Sequence, residues 1–346
     1  MKSNVKNILC AGAVCILLVW TVFTIFREQT PSQLAAALLN ADWCILLLGL
    51  PLMALFLCFE AAATYSVLRS LGCGQPFRRC VYYSCTGFFF STITPSATGG
   101  QPAQVCAMSR DGVPAASGAL DMLLVTIGYN TAAMGWGIFA LVTARGFVEQ
   151  LGGRVGVLLG VGLAVFAILD AAMFLFLFFP GPARRLLYGC IALAVKVLPG
   201  LDRAALEAKA DAHIAEYSRG ARLIRRTPGQ LVWVLGLSMM QLACAYAMPY
   251  VVYRAFGLSG YSLGQVFALQ ALCSIAVGYL PLPGSAGAAE SVFLRGFLLI
   301  FGRTLVAPAM ILSRTLSCYL VLAVAAAILA VGRTARRRTE HILCIY

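Results

Sequence analysis

Histidine is nearly absent from this chain: His213 and His341 are the only two in 346 residues. Zinc sites and catalytic triads built on imidazole therefore have almost nothing to draw on, and both histidines read as exposed bystanders. Charge is also scarce, at 11% of residues, where a soluble domain carries about one-quarter. No stretch is long or polar enough to fold as a separate soluble domain. Acidic residues number 13 against 26 basic ones, a net charge of +13. Without a soluble basic module, that excess does not point to nucleic acid; it reports membrane orientation first and attraction to anionic lipid second. No nucleotide-binding motif is visible, so any transport would run downhill or on an ion gradient. The thirteen cysteines are scattered, mainly in apolar runs such as those of Cys10, Cys44, Cys58 and Cys244. They lack metal-ligand or disulfide-scaffold spacing and read as small buried hydrophobes. No metal and no cofactor is expected.

What is abundant is apolar sequence: 61% of the chain is hydrophobic and the mean hydropathy is +0.87. Runs near 8–26, 43–66, 117–144, 155–179, 230–253 and 305–331 each approach the roughly 20 residues of a spanning helix. The first follows Lys2 and Lys6 and reads as an uncleaved signal anchor. Arginine and lysine cluster after the second span (Arg69, Arg78, Arg79), after the fourth (Arg184, Arg185, Lys196, then Arg203 to Arg226) and after the last (Arg333, Arg336, Arg337, Arg338). The positive-inside rule then places both termini and the 184–228 connection in the cytoplasm. Arg254, Arg295 and Arg303 fall on or near the outer side and fit this scheme least well.

Two further hydrophobic regions, 77–108 and 262–302, are broken by proline and glycine. The bookkeeping closes if the first enters and leaves from the cytoplasmic side and the second from the outer side. The expected fold is thus an all-α polytopic membrane protein with about six spanning helices and two oppositely oriented re-entrant hairpins, arranged as in an inverted repeat. An N-terminal membrane half covers 1–200 and a C-terminal half 228–335, with a cytoplasmic tail at 336–346. Between the halves, residues 201–227 repeat apolar side chains at Leu206, Ala210, Ile214, Tyr217, Ala221 and Ile224. That spacing predicts an amphipathic helix. It lies against the inner leaflet or the cytoplasmic ends of the bundle, or serves as a solvated connector.

The breaks themselves carry the chemistry. Broken backbone inside a bilayer survives only where protein or a water-filled cavity satisfies its polar groups. A helix that starts there offers free N–H groups and a positive dipole end, a natural seat for phosphate. One helix starts near Gln101 after Gly99 and Gly100; another starts near Ala288 after Pro283, Gly284, Ser285 and Gly287. If both starts face one cavity, a phospholipid headgroup fits between them. Thr98-x-x-Gln101 also has the form of a capping box, and Glu290 places a carboxylate in a first helical turn. Gln101 and Glu290 therefore read both as caps and as headgroup contacts. Among ionisable residues at depth, Glu60, Asp121, Asp170 and Arg295 are candidates for ion pairs or gating. Asp121, near the start of its span, also reads as interfacial. Arg314, inside the last span, reads as a partner for Glu290 or a contact for a lipid phosphate. Asn130 and Gln241 read as hydrogen-bonding glue between helices.

At these two motifs the chain resembles a known family. Thr94-Pro95-x-x-Thr98-Gly99-Gly100-Gln101-Pro102, followed by Arg110-Asp111-Gly112, looks like the first signature of the bacterial lysylphosphatidylglycerol synthase/flippase membrane domain, also called the multiple peptide resistance factor family. Pro281-x-Pro283-Gly284-x-x-Gly287-x-x-Glu290 looks like its second. The resemblance implies a bacterial cytoplasmic-membrane protein that moves aminoacylated phosphatidylglycerol, or a related anionic or polyprenyl-phosphate lipid, between leaflets. It implies a link to envelope charge and cationic peptide resistance. Its partners would be membrane phospholipid, a separate aminoacyl-lipid synthase and further copies of the chain in an oligomer, with no nucleic acid bound directly. In that family a cytosolic synthase domain follows the membrane domain; this sequence ends at Tyr346, so that domain is expected to be absent. Members commonly carry Glu at Gln101 and Arg near Gln104, both neutral here, whereas Glu290 matches. The alternatives are a phosphatidylglycerol lysyltransferase-type enzyme acting with a separate synthase domain, and a lipid-binding subunit that moves nothing.

Overall fold

The computed structural model describes residues 37–94, 97–143, 146, 153–179, 181–182, 184–185, 188–189, 191–192, 203–278 and 288–343. The expected first span at 8–26 and the break residues Pro283, Gly284, Ser285 and Gly287 lie outside them. Among the described residues every regular element is a helix and none is a strand. The chain is an all-α polytopic membrane protein.

Helix α1 (Gly49–Ser70) follows a short turn, Trp43–Leu46. The Asp42 carboxylate starts that turn by accepting from the backbone N–H groups of Cys44 and Ile45 at 2.9 and 3.4 Å, a side-chain cap for otherwise unpaired donors. Then come α2 (Phe77–Ile93), α3 (Gly100–Arg110), α4 (Ala115–Thr143), α5 (Gly153–Phe178) and α6 (Arg203–Arg226). Helix α7 (Pro228–Ala255) begins with a proline where its missing N–H costs nothing. After it come α8 (Leu263–Gly278), α9 (Ala288–Gly296) and α10 (Leu298–Arg314), then a π-helical turn at Thr315–Tyr319 and α11 (Leu320–Leu343). Among the described residues, four segments are long and apolar enough to cross a bilayer: Trp43–Ser70, Ala115–Thr143, Pro228–Ala255 and Leu298–Gly332. They coincide with four of the six expected spans.

Helices α1 and α7 form the antiparallel spine. At one end the Asp42 N–H donates to the Ala255 carbonyl at 2.8 Å. At the other, Ser70 Oγ donates to Gln230 Oε1 at 3.0 Å and Gln230 Nε2 donates to Ser66 Oγ at 2.9 Å. The second end carries Arg69, Arg78, Arg79, Arg225 and Arg226 and is the arginine-rich end.

Two hairpins open at opposite ends of this spine. The first, α2–α3, has arms of 17 and 11 residues, about 25 and 16 Å long. Its feet meet at the arginine-rich end. There Arg79 pairs with Asp111 at 3.3 Å, Tyr83 Oη donates to Asp111 Oδ2 at 2.6 Å, and Gln75 Nε2 donates to the Asp111 carbonyl at 3.4 Å. The second, α8–α9, has arms of 16 and 9 residues, about 24 and 13 Å. Its feet lie by the C-terminus of α7, where Tyr261 N–H donates to Tyr253 Oη at 2.9 Å and Tyr261 Oη donates to the Leu299 carbonyl at 3.3 Å. No arm reaches the roughly 30 Å thickness of a hydrocarbon core. The oppositely opening pair is present as the break positions suggested.

The largest apolar core lies among α4, α7, α8, α9 and α10, with Leu242, Tyr253, Leu269, Phe297 and Met310 almost wholly enclosed. Helix α6 is drawn into a second core: Ala221 and Ile224 are buried with Ala63, Val67, Leu120 and Leu124. Its C-terminal turns therefore pack on the bundle instead of spanning solvent.

Candidate functional site

A cavity of about 300 Å³ opens beside the C-terminal end of α8. Tyr129 of α4, Pro249 of α7, Gln270 and Ser274 of α8, and Ser313, Arg314 and Ser317 at the end of the α10 segment supply its polar and irregular wall. Cys273, Phe293 and Met248 supply apolar wall. Two backbone irregularities face it. Pro249 withholds the N–H that would bond the carbonyl of Ala245, another wall residue. The π-helical turn begins directly after Arg314; such turns widen a helix and often accompany functional sites.

The polar wall is incompletely satisfied from within. Gln270 Nε2 donates to Ser274 Oγ at 3.3 Å, and Ser317 Oγ donates to the Ser313 carbonyl at 2.6 Å. Gln270 Oε1 and Ser313 Oγ are buried with no hydrogen-bond partner among the described residues. Buried polar atoms normally have partners, so this pair gives the wall hydrogen-bonding capacity that the described residues leave unused. Half-buried Arg314 brings a permanent positive charge and planar donors. The arrangement suits an anionic group with several acceptor oxygens.

A polar track leads from this cavity to the first hairpin. Gln101 Nε2 donates to Thr126 Oγ1 at 2.7 Å, and Thr126 lies on the same face of α4 as Tyr129, three residues on. One turn along α3, Gln104 Nε2 donates to Glu60 Oε1 at 2.9 Å, while Gln241 Nε2 of α7 donates to Glu60 Oε2 at 3.3 Å. Glu60 thereby ties the spine to the first hairpin, close enough to Tyr129 to act on it electrostatically. Gly87 makes room for this contact, because a Cβ there would collide with the Gln104 amide. Gly100 likewise lets the two arms close over Ser91.

The sequence-derived candidates fall into three groups. Arg314 lines the cavity. Thr98, Gly99, Gly100 and Gln101 do not; they form the tip of the first hairpin. Gln101 is no cap, since the N-cap of α3 is Gly99 and no side chain caps it. Instead Thr94 Oγ1, donating to the Phe90 carbonyl at 2.6 Å, accepts from the Gly99 N–H at 2.9 Å. Glu290 stands on the first turn of α9, its side chain outside the described portion, so pairing with Arg314 stays an expectation. Glu60 is the node of the polar track. Asp170 Oδ2 accepts from Thr131 Oγ1 at 2.8 Å, joining α5 to α4. Arg295 is exposed on α9.

Asp121, expected near the interface at the start of its span, is fully buried within the bundle, because α1 and α2 cover the start of α4, with Thr64 and Cys80 alongside. Neither of its carboxylate oxygens meets a hydrogen-bond partner among the described residues. Arg79–Asp111 and Arg184–Asp211 are ion pairs between described residues. Sequence reasoning passed over Tyr129, Gln270, Ser274 and Gln104 as site residues. Their signal was weak: uncharged polar residues in apolar helices, without a break or a charge.

Comparison with known proteins agrees with this architecture. A family profile described as the lysylphosphatidylglycerol synthase TM region matches residues 8–325. A protein of Archaeoglobus fulgidus described as a UPF0104 membrane protein is 25% identical over 289 residues, covering 80% of this chain and 83% of its own length.

Proposed function

Because the chain belongs to the lysylphosphatidylglycerol synthase transmembrane-region family, we propose that it binds a phospholipid by its headgroup phosphate and carries it between leaflets. The lipid would be an aminoacylated phosphatidylglycerol or a related anionic or polyprenyl-phosphate lipid. The observation that carries this reading is Arg314 in a cavity beside the C-terminal end of α8, with Gln270 and Ser313 holding buried atoms that meet no hydrogen-bond partner among the described residues. A space of about 300 Å³ suits a headgroup and leaves the acyl chains outside, between helices. Both hairpins re-enter from their own side of the membrane, the arginine-rich end being cytoplasmic by the positive-inside rule. The polar track through Gln101, Gln104, Glu60 and Tyr129 then couples the cavity to the first hairpin, the kind of link between halves that alternating access about a midplane site calls for.

Purified protein in liposomes, supplied with lysylphosphatidylglycerol labelled in one leaflet, tests the proposal. Transfer above protein-free vesicles, without tRNA, is expected. Folded protein that gives no transfer with this lipid, phosphatidylglycerol or a polyprenyl phosphate overturns it. New lysyl-lipid made from lysyl-tRNA would assign an enzyme instead.

A further inference from the structure

At the arginine-rich end, α1 and α7 diverge around an open groove of about 480 Å³, lined by Tyr65, Ser66, Arg69, Ser70, Gln230 and Trp233. It is separate from the Arg314 cavity and shares no lining residue with it. Arg69 lies nine residues beyond Glu60 on α1, roughly 13 Å further along the helix axis. The groove floor is preorganised by the two Gln230 bonds to Ser66 and Ser70.

Arg69 is exposed in the last turn of α1, where its Nη1 donates to Tyr65 Oη at 3.3 Å. It has no carboxylate partner among the described residues. Trp233 is 58% exposed, between Val232 at 69% and Met240 at 52%. That exposed apolar stripe on α7 leads from the groove toward the bundle centre.

Each part matches one layer of a phospholipid at the water boundary. A guanidinium with spare donors meets phosphate oxygens. Tyrosine and tryptophan rings sit at headgroup level. The apolar stripe meets an acyl chain. We infer that this groove is a second lipid site, which holds one phospholipid with an anionic headgroup at the membrane surface, with Arg69 on its phosphate and Trp233 against its glycerol and upper chain. The site does not depend on transport: it stands whether or not the inner cavity moves lipid.

Tryptophan quenching by brominated lipids in nanodiscs tests the inference, with the Trp233 signal isolated by subtracting the Trp233→Phe variant. Brominated phosphatidylglycerol is expected to quench Trp233 at lower mole fraction than brominated phosphatidylcholine. Arg69→Gln should cut that preference about five-fold, the weight of one basic residue near an anionic surface. Arg69→Lys should retain most of it. Arg314→Gln should leave it intact while lipid transfer falls, which separates this inference from the transport proposal. Equal quenching by both lipids in the wild type would mean ordinary boundary lipid and overturn the site. Absence of quenching by either lipid would mean that another segment of the chain fills the groove, with the same consequence. Loss of the preference on adding inorganic phosphate would assign a free-anion site in place of a lipid site.

Discussion

The two hairpins share a plan and differ in what holds them. Each has one longer and one shorter arm, and their feet lie at opposite ends of the α1–α7 spine. The first is fastened by polar bonds at every level: Asp111 at its feet, Gln104 to Glu60 along its short arm, and Gln101 to Thr126 near its tip. Among its described residues, the second is fastened mostly by rings and aliphatic contact. Phe293 stacks on Phe297 with centroids 4.2 Å apart, and Phe297 lies 5.9 Å from Phe301. Directional bonds hold one geometry, whereas apolar surfaces slide at low cost because burial is non-directional. The first hairpin is therefore a polar wall set apart from the cavity, and the second is the hairpin beside it.

The sharpest way to break that comparison is to change the charge at each site. Arg314→Gln should lower lipid transfer about ten- to a hundredfold, since hydrogen bonds to charged groups are worth about 1.5–3 kcal/mol. Gln101→Glu, at the first hairpin's tip, should change transfer several-fold less. Leaflet-transfer rates in liposomes decide it, and equal losses would end the distinction between wall and cavity. The feet come next. Asp111→Ala strips the acceptors from Tyr83 and Arg79 and should cost about 2–3 kcal/mol. Tyr261→Phe loses its 3.3 Å bond to Leu299 and its steric fit changes little; about 1 kcal/mol is expected. Melting temperatures in detergent give the ranking.

Much of the fold was legible because periodicity and length are local properties. The four long spans, the two breaks and the proline start of α7 all sit in contiguous sequence. The internal site was legible only where a residue was conspicuous by itself, as Arg314 is. Glu60 drew notice as a charge at depth, but its partners lie 44 and 181 positions away, and no local pattern encodes such pairings. The enclosure of Asp121 was hidden for the same reason: its place near the helix start is local, while its burial comes from α1 and α2. The capping reading of Gln101 failed because Thr94, at the other side of the break, already satisfies the Gly99 N–H.

Gly87 tests whether the polar wall is one unit. A Cβ at this position collides with Gln104 and pushes its amide off Glu60, so Gly87→Ala should cost about 1–3 kcal/mol, as overpacking does. Gln104→Ala alone should cost about as much, by leaving Glu60 with the Gln241 bond. If both act through one contact, the double variant costs clearly less than the sum, with a coupling of about 0.5–3 kcal/mol. Additive losses would mean that Gly87 serves helix packing alone and that the Gln104–Glu60 bond is incidental.

The smallest expected effects come from the backbone of the two regions, and they have opposite signs. At the first break Ala97 holds φ at 53°, a left-handed conformation that costs an alanine about 1–2 kcal/mol. Glycine removes that strain but adds about 0.5–1 kcal/mol of unfolded-state entropy, so Ala97→Gly should be neutral or stabilise by up to about 1 kcal/mol. After the second hairpin, Gly302 holds φ at 70° with open space where a Cβ would stand. Gly302→Ala therefore meets no clash, and its cost isolates the backbone preference, about 1–2 kcal/mol after the entropy gain, since φ 70° with ψ 174° is a region that glycine alone adopts readily. Thermal melts of the pair check the signs. Stabilisation by Gly302→Ala would show that this bend relaxes to ordinary helix, and the kink that separates the second hairpin from the last span would then owe nothing to glycine.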